Sequence, residues 1–173
     1  MSSTFGPENL QIPVVVKLVN GPYGEEVHQL LARHGLAPTL YGCAHFKCTP
    51  TAYIMEHLNG DWVMLFDFLQ RELSRPFYPT IRHSLEDVVG LLKNEGFIHG
   101  DFRSSNVMVQ IHEGNAQIKV IDFDWAGKPG QISYSAVHNI TIGFPGKPYD
   151  SIRAEDDLTL LDSWWEKECL TSI

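Results

Sequence analysis

Three polar residues flank a segment that the sequence predicts to be one short β-hairpin. Asp101 and Asn106 stand in the loop HGDFRSSN, which precedes the apolar run VMVQIH, and Asp122 ends the second run, AQIKVIDF. The intervening EGN places a glycine in the turn, as hairpins commonly do. Because antiparallel pairing brings the outer ends of a hairpin to the same edge, we expect the three side chains to converge.

The residue types in this cluster indicate the chemistry. An uncompensated buried acid is costly, so such a group usually holds a metal ion, a proton or a cation. A carboxylate and an amide supply the hard oxygen atoms that Mg²⁺ prefers. A further carboxylate that does not bind the metal would be free to accept a proton. The residues alone leave open which aspartate has which role.

The remaining sequence predicts short strands followed by helices. A β-branched run predicts a strand over 12–19, and a second apolar run covers 51–56. Apolar periodicity and end signals predict four helices: one with Val27, Leu30, Leu31 and His34 on one face and Gly35 after it, one beginning at Asp61, one capped by Thr80 and followed by Gly96, and one within EDDLTLLDSWWEKECL. Residues 126–152 predict an irregular loop. The order is that of an α+β fold.

Composition narrows the classes of function. The chain has 173 residues, enough for one domain, and its net charge of −8 argues against a nucleic-acid surface. No apolar run is long enough to span a membrane, and the N-terminus lacks a secretory pattern. Cys43, Cys48 and Cys169 have no framework spacing, which indicates a reducing, cytoplasmic compartment.

These motifs resemble those of the protein-kinase-like fold. HGD with an asparagine five residues after its aspartate is similar to the catalytic loop, and IDFD is similar to the metal-binding DFG element. The resemblance implies a minimal, single kinase-like domain over 1–173. Residues 1–58 would form a truncated N-lobe sheet with the hinge, and residues 59–173 a short helical C-lobe.

The resemblance also implies roles for individual residues. Asp101 would position and deprotonate the accepting hydroxyl, while Asn106 and Asp122 would hold Mg²⁺. Lys17, in VVVK, would bind the phosphates of ATP. Arg103 stands where many kinases have a lysine that touches the transferred phosphate, and a surface arginine is an equally good interpretation.

Two further elements of a nucleotide site follow from the resemblance. YIMEHLNG is similar to the hinge, so backbone groups around Glu56 and Leu58 would meet adenine. The helix after Lys17 would supply a glutamate partner for that lysine. Glu25 lies nearly opposite the centre of the predicted apolar face and Glu26 at its margin, so we expect Glu26 to point toward Lys17.

The sequence departs from the kinase pattern in three places. No GxGxxG precedes Lys17, so the glycine-rich loop that covers the phosphates is expected to be missing. HGD replaces HRD and is similar to aminoglycoside- and choline-type phosphotransferases and to the small kinase of the tRNA-modifying KEOPS complex. IDFDWAG together with YGEEVHQLLARHGLAP is similar to fungal kinase-like proteins. Asp124 replaces the glycine of DFG, either as an extra metal ligand or as a cap for the next turn, and we favour the cap.

We therefore expect an ATP- and Mg²⁺-dependent phosphotransferase with an unidentified hydroxyl acceptor. A pseudokinase that regulates a protein partner is the alternative, because fold alone does not establish function. An ATPase-type switch is a third interpretation. Neither a nucleic acid nor a membrane is an expected partner. A sheet edge without neighbouring strands could pair with a second copy of the chain, so a homodimer is possible.

Overall fold

The N-terminal part of the chain forms a three-stranded antiparallel sheet with one helix. The computed structural model describes residues 12–45, 50–136 and 142–170. Strands β1 (Val14–Val19), β2 (Leu40–Ala44) and β3 (Thr51–Glu56) lie in the order β1-β3-β2, and α1 (Glu25–Arg33) connects β1 to β2. β1 is an edge strand with exposed apolar side chains. Pairing of a second chain along this edge stays a prediction.

The remaining described residues form a second three-stranded antiparallel sheet and the larger helices. Strands β4 (Val63–Met64), β5 (Val107–His112) and β6 (Asn115–Val120) lie in sequence order. The helices are α2 (Leu65–Leu69), α3 (Tyr78–Asn94) and α4 (Asp156–Trp165), with 3₁₀ turns at Glu72–Phe77 and Ser104–Asn106 and a π-helical turn at Glu166–Leu170. α3 packs against β6 and α4.

The structure confirms the hairpin and the α+β order. β5 and β6 pair from Val107 with Val120 to His112 with Asn115. Glu113 and Gly114 both have positive φ (49° and 78°), as the tight turn requires. Antiparallel pairing therefore brings residues 106 and 121 together, and Ile121 N donates to Asn106 O at 2.9 Å.

Two helix starts predicted from the sequence are wrong. The helix expected from Asp61 begins at Leu65, because Val63 and Met64 pair with Val109 and Met108 on β5 instead. α3 begins at Tyr78, so Thr80 lies inside its first turn. At the start of α2, strand pairing overrides the local helix signal, because tertiary contacts can outweigh intrinsic helix propensity.

One apolar core joins α1, α2, α3, the hairpin and α4. On α1 the buried residues are Val27, His28, Leu30 and Leu31, whereas His34 is exposed. The expected face was therefore wrong at its end, because α1 ends at Arg33, before His34, and His28 belongs to the buried face instead. None of the helices that the structure describes has the length and apolar character needed to cross a bilayer. Cys43 and Cys169 are free thiols, and Cys48 lies outside the described residues.

Candidate active site

Side chains of α4 form hydrogen bonds with the backbone of the loop between α3 and β5. The amides of His99 and Gly100 donate to the two carboxylate oxygens of Asp157 at 2.6 and 2.8 Å. Trp164 Nε1 donates to Phe102 O at 2.9 Å. Burial raises the pKa of Asp157, against the opposing effects of His99 and of the two amides. The loop backbone is therefore fixed by buried hydrogen bonds to one helix.

Gly100 is required at the bend of this loop. Its φ is +80°, a conformation that side chains other than glycine rarely adopt. A Cβ atom built there would lie 2.4 Å from the backbone oxygen of Trp125. The loop thus passes directly against the chain that follows IDFD, and no other residue fits the middle position of HGD.

Asp101 and Asn106 contact each other directly. Asn106 Nδ2 donates to the backbone oxygen of Asp101 at 2.9 Å and to its Oδ2 at 2.8 Å. Asp101 is only 9% exposed, and Asn106 is buried. Since Asn106 O also accepts from Ile121 N, the structure places both residues beside Asp122 at the end of β6.

Arg103 lies against the carboxylate of Asp101. Its Nη2 donates to Oδ2 at 2.9 Å, while Nε lies 2.8 Å from Oδ1 without the alignment of a hydrogen bond. The two interpretations of Arg103 were a phosphate-binding cation and a surface side chain. The structure shows a third arrangement, in which the guanidinium covers the carboxylate beside it.

Lys17 bridges the two aspartates of IDFD. Its Nζ lies 2.5 Å from Asp122 Oδ1 and 2.6 Å from Asp124 Oδ1. Burial alone would lower the pKa of Lys17, but the hydrogen bonds and charges of both aspartates outweigh it and raise that pKa. One ammonium group thus pairs with two half-exposed carboxylates, and one negative charge of the cluster stays uncompensated.

Alternation along IDFD explains why both aspartates face the cleft. Phe123 is buried in the core between them, and Asp122 adopts a positive φ of 66°. The favoured interpretation of Asp124 as a cap for the next turn was wrong, because its carboxylate points to Lys17. A side chain two residues after Asp122 shares its face, so the alternation in the sequence could have indicated this.

Glu26 does not pair with Lys17. Its side chain is exposed beside a shallow pocket that includes Phe97 and Lys128. Glu25 is half-buried and accepts from Gln29 Nε2 at 3.0 Å. The prediction for Glu26 is wrong because buried His28 turns the buried face of α1 away from Glu26, and Asp122 and Asp124 contact the lysine instead.

An apolar cavity of about 560 Å³ opens beside Lys17. Its wall comes from β1, from the end of β3 and the segment after it, and from the hairpin. The apolar residues of the wall include Val15, Val16, Met55, Leu58 and Met108, and Lys17 and Asp122 also line the cavity. Among the described residues, the backbone of Leu58 has no hydrogen-bond partner and is open to a ligand. The cavity has the size and lining of a site for a flat heterocycle.

Unlike Leu58, Glu56 at the end of β3 forms hydrogen bonds with both its backbone N–H and its carboxylate. Its backbone N–H donates to Thr39 O at 2.8 Å. Its carboxylate accepts from Lys119 Nζ at 2.9 and 2.8 Å and from Thr39 N at 2.9 Å. Burial tends to raise the pKa of Glu56, but these contacts outweigh it and lower that pKa. This ion pair ties the first sheet to β6 at the rim of the cavity.

A smaller pocket, of about 320 Å³, is lined in part by the loop between α3 and β5. Arg103 and Ser104 form one wall, and Phe66, Trp164 and Glu168 form the others. Ser104 Oγ donates to Glu168 Oε1 at 3.0 Å, and burial raises the pKa of Glu168 more than this bond lowers it. Arg103 thus separates this pocket from Asp101.

Comparison with known proteins identifies the family. The sequence profile described as "Phosphotransferase enzyme family" (APH) matches residues 18–128, which is well over half of the chain. The chain belongs to the phosphotransferase enzyme family. The match contains the catalytic loop, the hairpin and IDFD, and it begins one residue after Lys17. No curated protein matches the sequence.

The fold of this phosphotransferase-family chain is also that of a kinase. The solved structure of the Cydia pomonella granulovirus kinase PK-1 superposes with a TM-score of 0.69 at 18% sequence identity. The match covers 92% of this chain and 60% of the viral kinase. The predicted protein-kinase-like fold of reduced size is therefore confirmed. This chain spans about 60% of the length of that relative.

The donor atoms of this phosphotransferase-family site suit Mg²⁺. Asp122, Asn106 and Asp124 offer carboxylate and amide oxygens, and Mg²⁺ is usually held by one or two carboxylates together with substrate phosphates and water. Within the described residues no group of three or more His, Cys, Asp and Glu side chains is arranged to hold a metal ion. The residues present thus fit a metal ion that shares its coordination shell with phosphate.

Sequence reasoning missed several side chains that support this family site. No local pattern marks Lys119, Tyr23 and His28, because Lys119 pairs with a residue 63 positions away and a buried polar side chain such as His28 gives no hydrophobic signal. α4 supports the loop through the carboxylate of Asp157. Asp156 instead accepts from Tyr134 Oη at 2.9 Å.

Proposed function

We propose that this chain is an ATP- and Mg²⁺-dependent phosphotransferase that transfers the γ-phosphoryl group to the hydroxyl of an acceptor. One observation carries the proposal. The bridge from Lys17 to Asp122 and Asp124 lies at the end of an apolar cavity, and the Asp101–Asn106 pair is tied to the same end of β6. Membership of the phosphotransferase family supports the reaction class.

In this proposal the adenine ring occupies the apolar cavity. Val15, Val16 and Met108 would pack against its faces, and the open backbone of Leu58 would bind its edge. Of the two backbone groups of Glu56, only the carbonyl would bind adenine, because the N–H already donates to Thr39 O. A base seated there directs the phosphates toward Lys17.

Lys17 would then exchange partners. Its ammonium would leave one or both aspartates and bind phosphate oxygens, which frees Asp122 to hold Mg²⁺ together with Asn106. When bound, Mg²⁺ supplies positive charge that offsets the charge of the transferred group. Because the same carboxylates pair with Lys17 now, nucleotide and metal are expected to bind together.

Asp101 would accept the proton of the acceptor hydroxyl. The hydroxyl oxygen forms a bond to the γ-phosphorus, the bond from that phosphorus to the β,γ-bridging oxygen breaks, and ADP leaves with the electron pair. Asn106 holds the Asp101 carboxylate in place throughout. Arg103 must first release Asp101, and its released guanidinium is then close enough to bind the transferred group.

The small pocket behind Arg103 is the proposed site of the acceptor. It adjoins Arg103 and Ser104, and the half-buried carboxylate of Glu168 forms part of its wall. A pocket of about 320 Å³ has room for a small molecule or for one group of a larger one. The identity of the acceptor follows from neither the fold nor the family.

The contact between Arg103 and Asp101 favours one alternative, a binding module of the pseudokinase type. A carboxylate that is covered by a guanidinium and bonded to an amide is a poor base as it stands. If Arg103 never releases Asp101, the chain binds nucleotide without transferring phosphate. An ATPase-type switch would instead use water as the acceptor.

Substitution of Asp101 separates these functions. For the phosphotransferase, Asp101→Asn is expected to lower acceptor-dependent ADP release by about 10²- to 10⁴-fold and to leave the Kd for Mg·ATP unchanged. Asp87→Asn, an exposed aspartate on α3, is the matched control. ADP release that needs no acceptor would identify an ATPase. Nucleotide binding without any turnover, tested across an acceptor panel, would favour the binding module.

A further inference from the structure

A buried histidine packs against the IDFD segment, which carries Asp122 and Asp124, and it has no role in the proposed chemistry. His28 is fully buried on α1, at 0% exposure. Its Nε2 lies 2.7 Å from Pro38 O, and its Nδ1 lies 2.7 Å from Tyr23 Oη. Because a carbonyl can only accept, Nε2 carries the proton and Nδ1 accepts the hydroxyl proton of Tyr23. The ring is therefore fixed at both of its nitrogen atoms.

The His28 ring also supports the residue between the two aspartates. It stacks on Phe123 with centroids 4.4 Å apart and planes at 11°. Phe123 O accepts from Gly24 N at 2.8 Å, and Gly24 packs so closely on Ala126 that a Cβ there would lie 2.5 Å from Ala126 Cβ. The start of α1 thus holds Phe123 by its ring and by its backbone.

The Tyr23 ring lies near the bridge from Lys17 to Asp122 and Asp124. It stacks on Tyr53 with centroids 4.0 Å apart, and Lys17 Nζ lies 5.5 Å from its centroid. A cation over an aromatic face is attracted to it. One tyrosine therefore links the Lys17 ammonium to the histidine that supports the aspartates.

We propose that Tyr23 and His28 are positioning residues, which act through Phe123 and through the Tyr23 ring to orient Asp122, Asp124 and Lys17. The proposal rests on the proposed function. It explains how α1 contributes to the site although neither Glu25 nor Glu26 reaches Lys17. Because Phe123 stands between Asp122 and Asp124 in the chain, a displacement of its backbone moves both carboxylates.

Two substitutions remove the hydrogen bonds but keep the rings. Tyr23→Phe deletes the hydroxyl, and His28→Phe keeps a ring against Phe123. Tyr78→Phe is the matched control, since it removes a hydroxyl that donates to Leu69 O at 3.0 Å, away from the site. Should His28→Phe fail to fold, Tyr23→Phe alone decides the outcome.

The measurements are calorimetric Kd values for Mg·ATP and for adenosine, and deuterium exchange over residues 121–126 in the ligand-free protein. We expect Tyr23→Phe and His28→Phe to weaken Mg·ATP binding by about fivefold, as the loss of one hydrogen bond implies, with adenosine binding unchanged. Exchange over 121–126 should be faster in both variants and unchanged in Tyr78→Phe.

Three outcomes would overturn the positioning role: equal losses for Mg·ATP and adenosine, no difference between Tyr23→Phe and Tyr78→Phe, or unchanged exchange over 121–126. If the wild-type protein binds adenosine but not Mg·ATP, the proposed function itself fails. Exchange in the ligand-free variants then still decides whether Tyr23 and His28 hold the segment.

Discussion

The two halves of the candidate site are held in opposite ways. The loop around Asp101 is buried, and its backbone amides donate hydrogen bonds to a single acid, Asp157, on α4. Asp122 and Asp124 are half-exposed, and the segment that carries them is held from behind by the His28 ring and by one amide from Gly24. The loop around Asp101 is therefore fixed in place, whereas the arrangement of Asp122 and Asp124 depends on the cation that lies between their carboxylates.

This difference agrees with the work that each half would do. A base must stay at a fixed distance from the hydroxyl that it deprotonates, and small displacements are costly. A metal-binding carboxylate must release one cation and take another. We therefore expect substitutions behind the catalytic loop to act on stability, and substitutions at the Lys17 bridge to act on ligand binding.

The largest effect on stability is expected when the support from α4 is removed. Asp157→Ala leaves the buried amides of His99 and Gly100 without acceptors, which should lower the free energy of unfolding by roughly 3 kcal/mol. Urea denaturation measures it. Asp162→Ala, on the same helix, removes an exposed partner of Arg82 and should cost less than about 1 kcal/mol. Equal losses in the two variants would contradict the difference between the halves.

An intermediate effect is expected at the ion pair between Glu56 and Lys119, which joins β3 to β6. Glu56→Gln should lower the free energy of unfolding by about 1.5 kcal/mol at pH 7, because two bonds from Lys119 lose their charge. The pKa of Glu56 is held below its ordinary value of 4.5. Its contribution is therefore complete above about pH 4.5 and is lost as pH falls through the lower, folded-state pKa.

The pH dependence supplies the control for this pair. Wild type and Glu56→Gln should converge in stability when denaturation is repeated at progressively lower pH. In a double-mutant cycle, Lys119→Met should cost little once Glu56 is replaced. A loss that persists unchanged below pH 3 would show that Glu56 contributes by packing rather than by charge.

The smallest effect on stability is expected at the Lys17 bridge. Asp124→Asn should change the free energy of unfolding by less than about 0.5 kcal/mol, since both partners are partly exposed and Asp122 remains. The same substitution should lower the pKa of Lys17, because one of the two charges that raise it is gone. NMR titration of the lysine ammonium measures that shift. An unchanged pKa would mean that Asp124 does not contact Lys17 when the protein is in solution.

The sequence predicted the local parts of this site. The hairpin, the glycine turn and the convergence of Asp101 with Asn106 follow from patterns within 25 residues or so of chain, where strand alternation and turn chemistry decide the structure. What unites these features is that each depends on near neighbours in sequence.

The contacts between distant elements were not predictable in the same way. Glu26 was chosen from an apolar face that counted His34 and omitted His28, and a polar residue in a core gives no hydrophobic signal. The partner of Glu56, Lys119, lies on a strand of the other sheet. Arg103 was expected to face phosphate or solvent, and its attachment to Asp101 depends on how the loop folds back around Gly100.

Calorimetric titration of ATP, with and without Mg²⁺, into wild type and Asp122→Ala tests the central claim most directly. Asp87→Ala serves as the control for an exposed aspartate outside the site. We predict that the wild type and Asp87→Ala bind ATP more tightly with Mg²⁺ and that Asp122→Ala loses this dependence. Binding that is equally tight in Asp122→Ala, or the absence of binding at millimolar ATP in the wild type, would contradict the account.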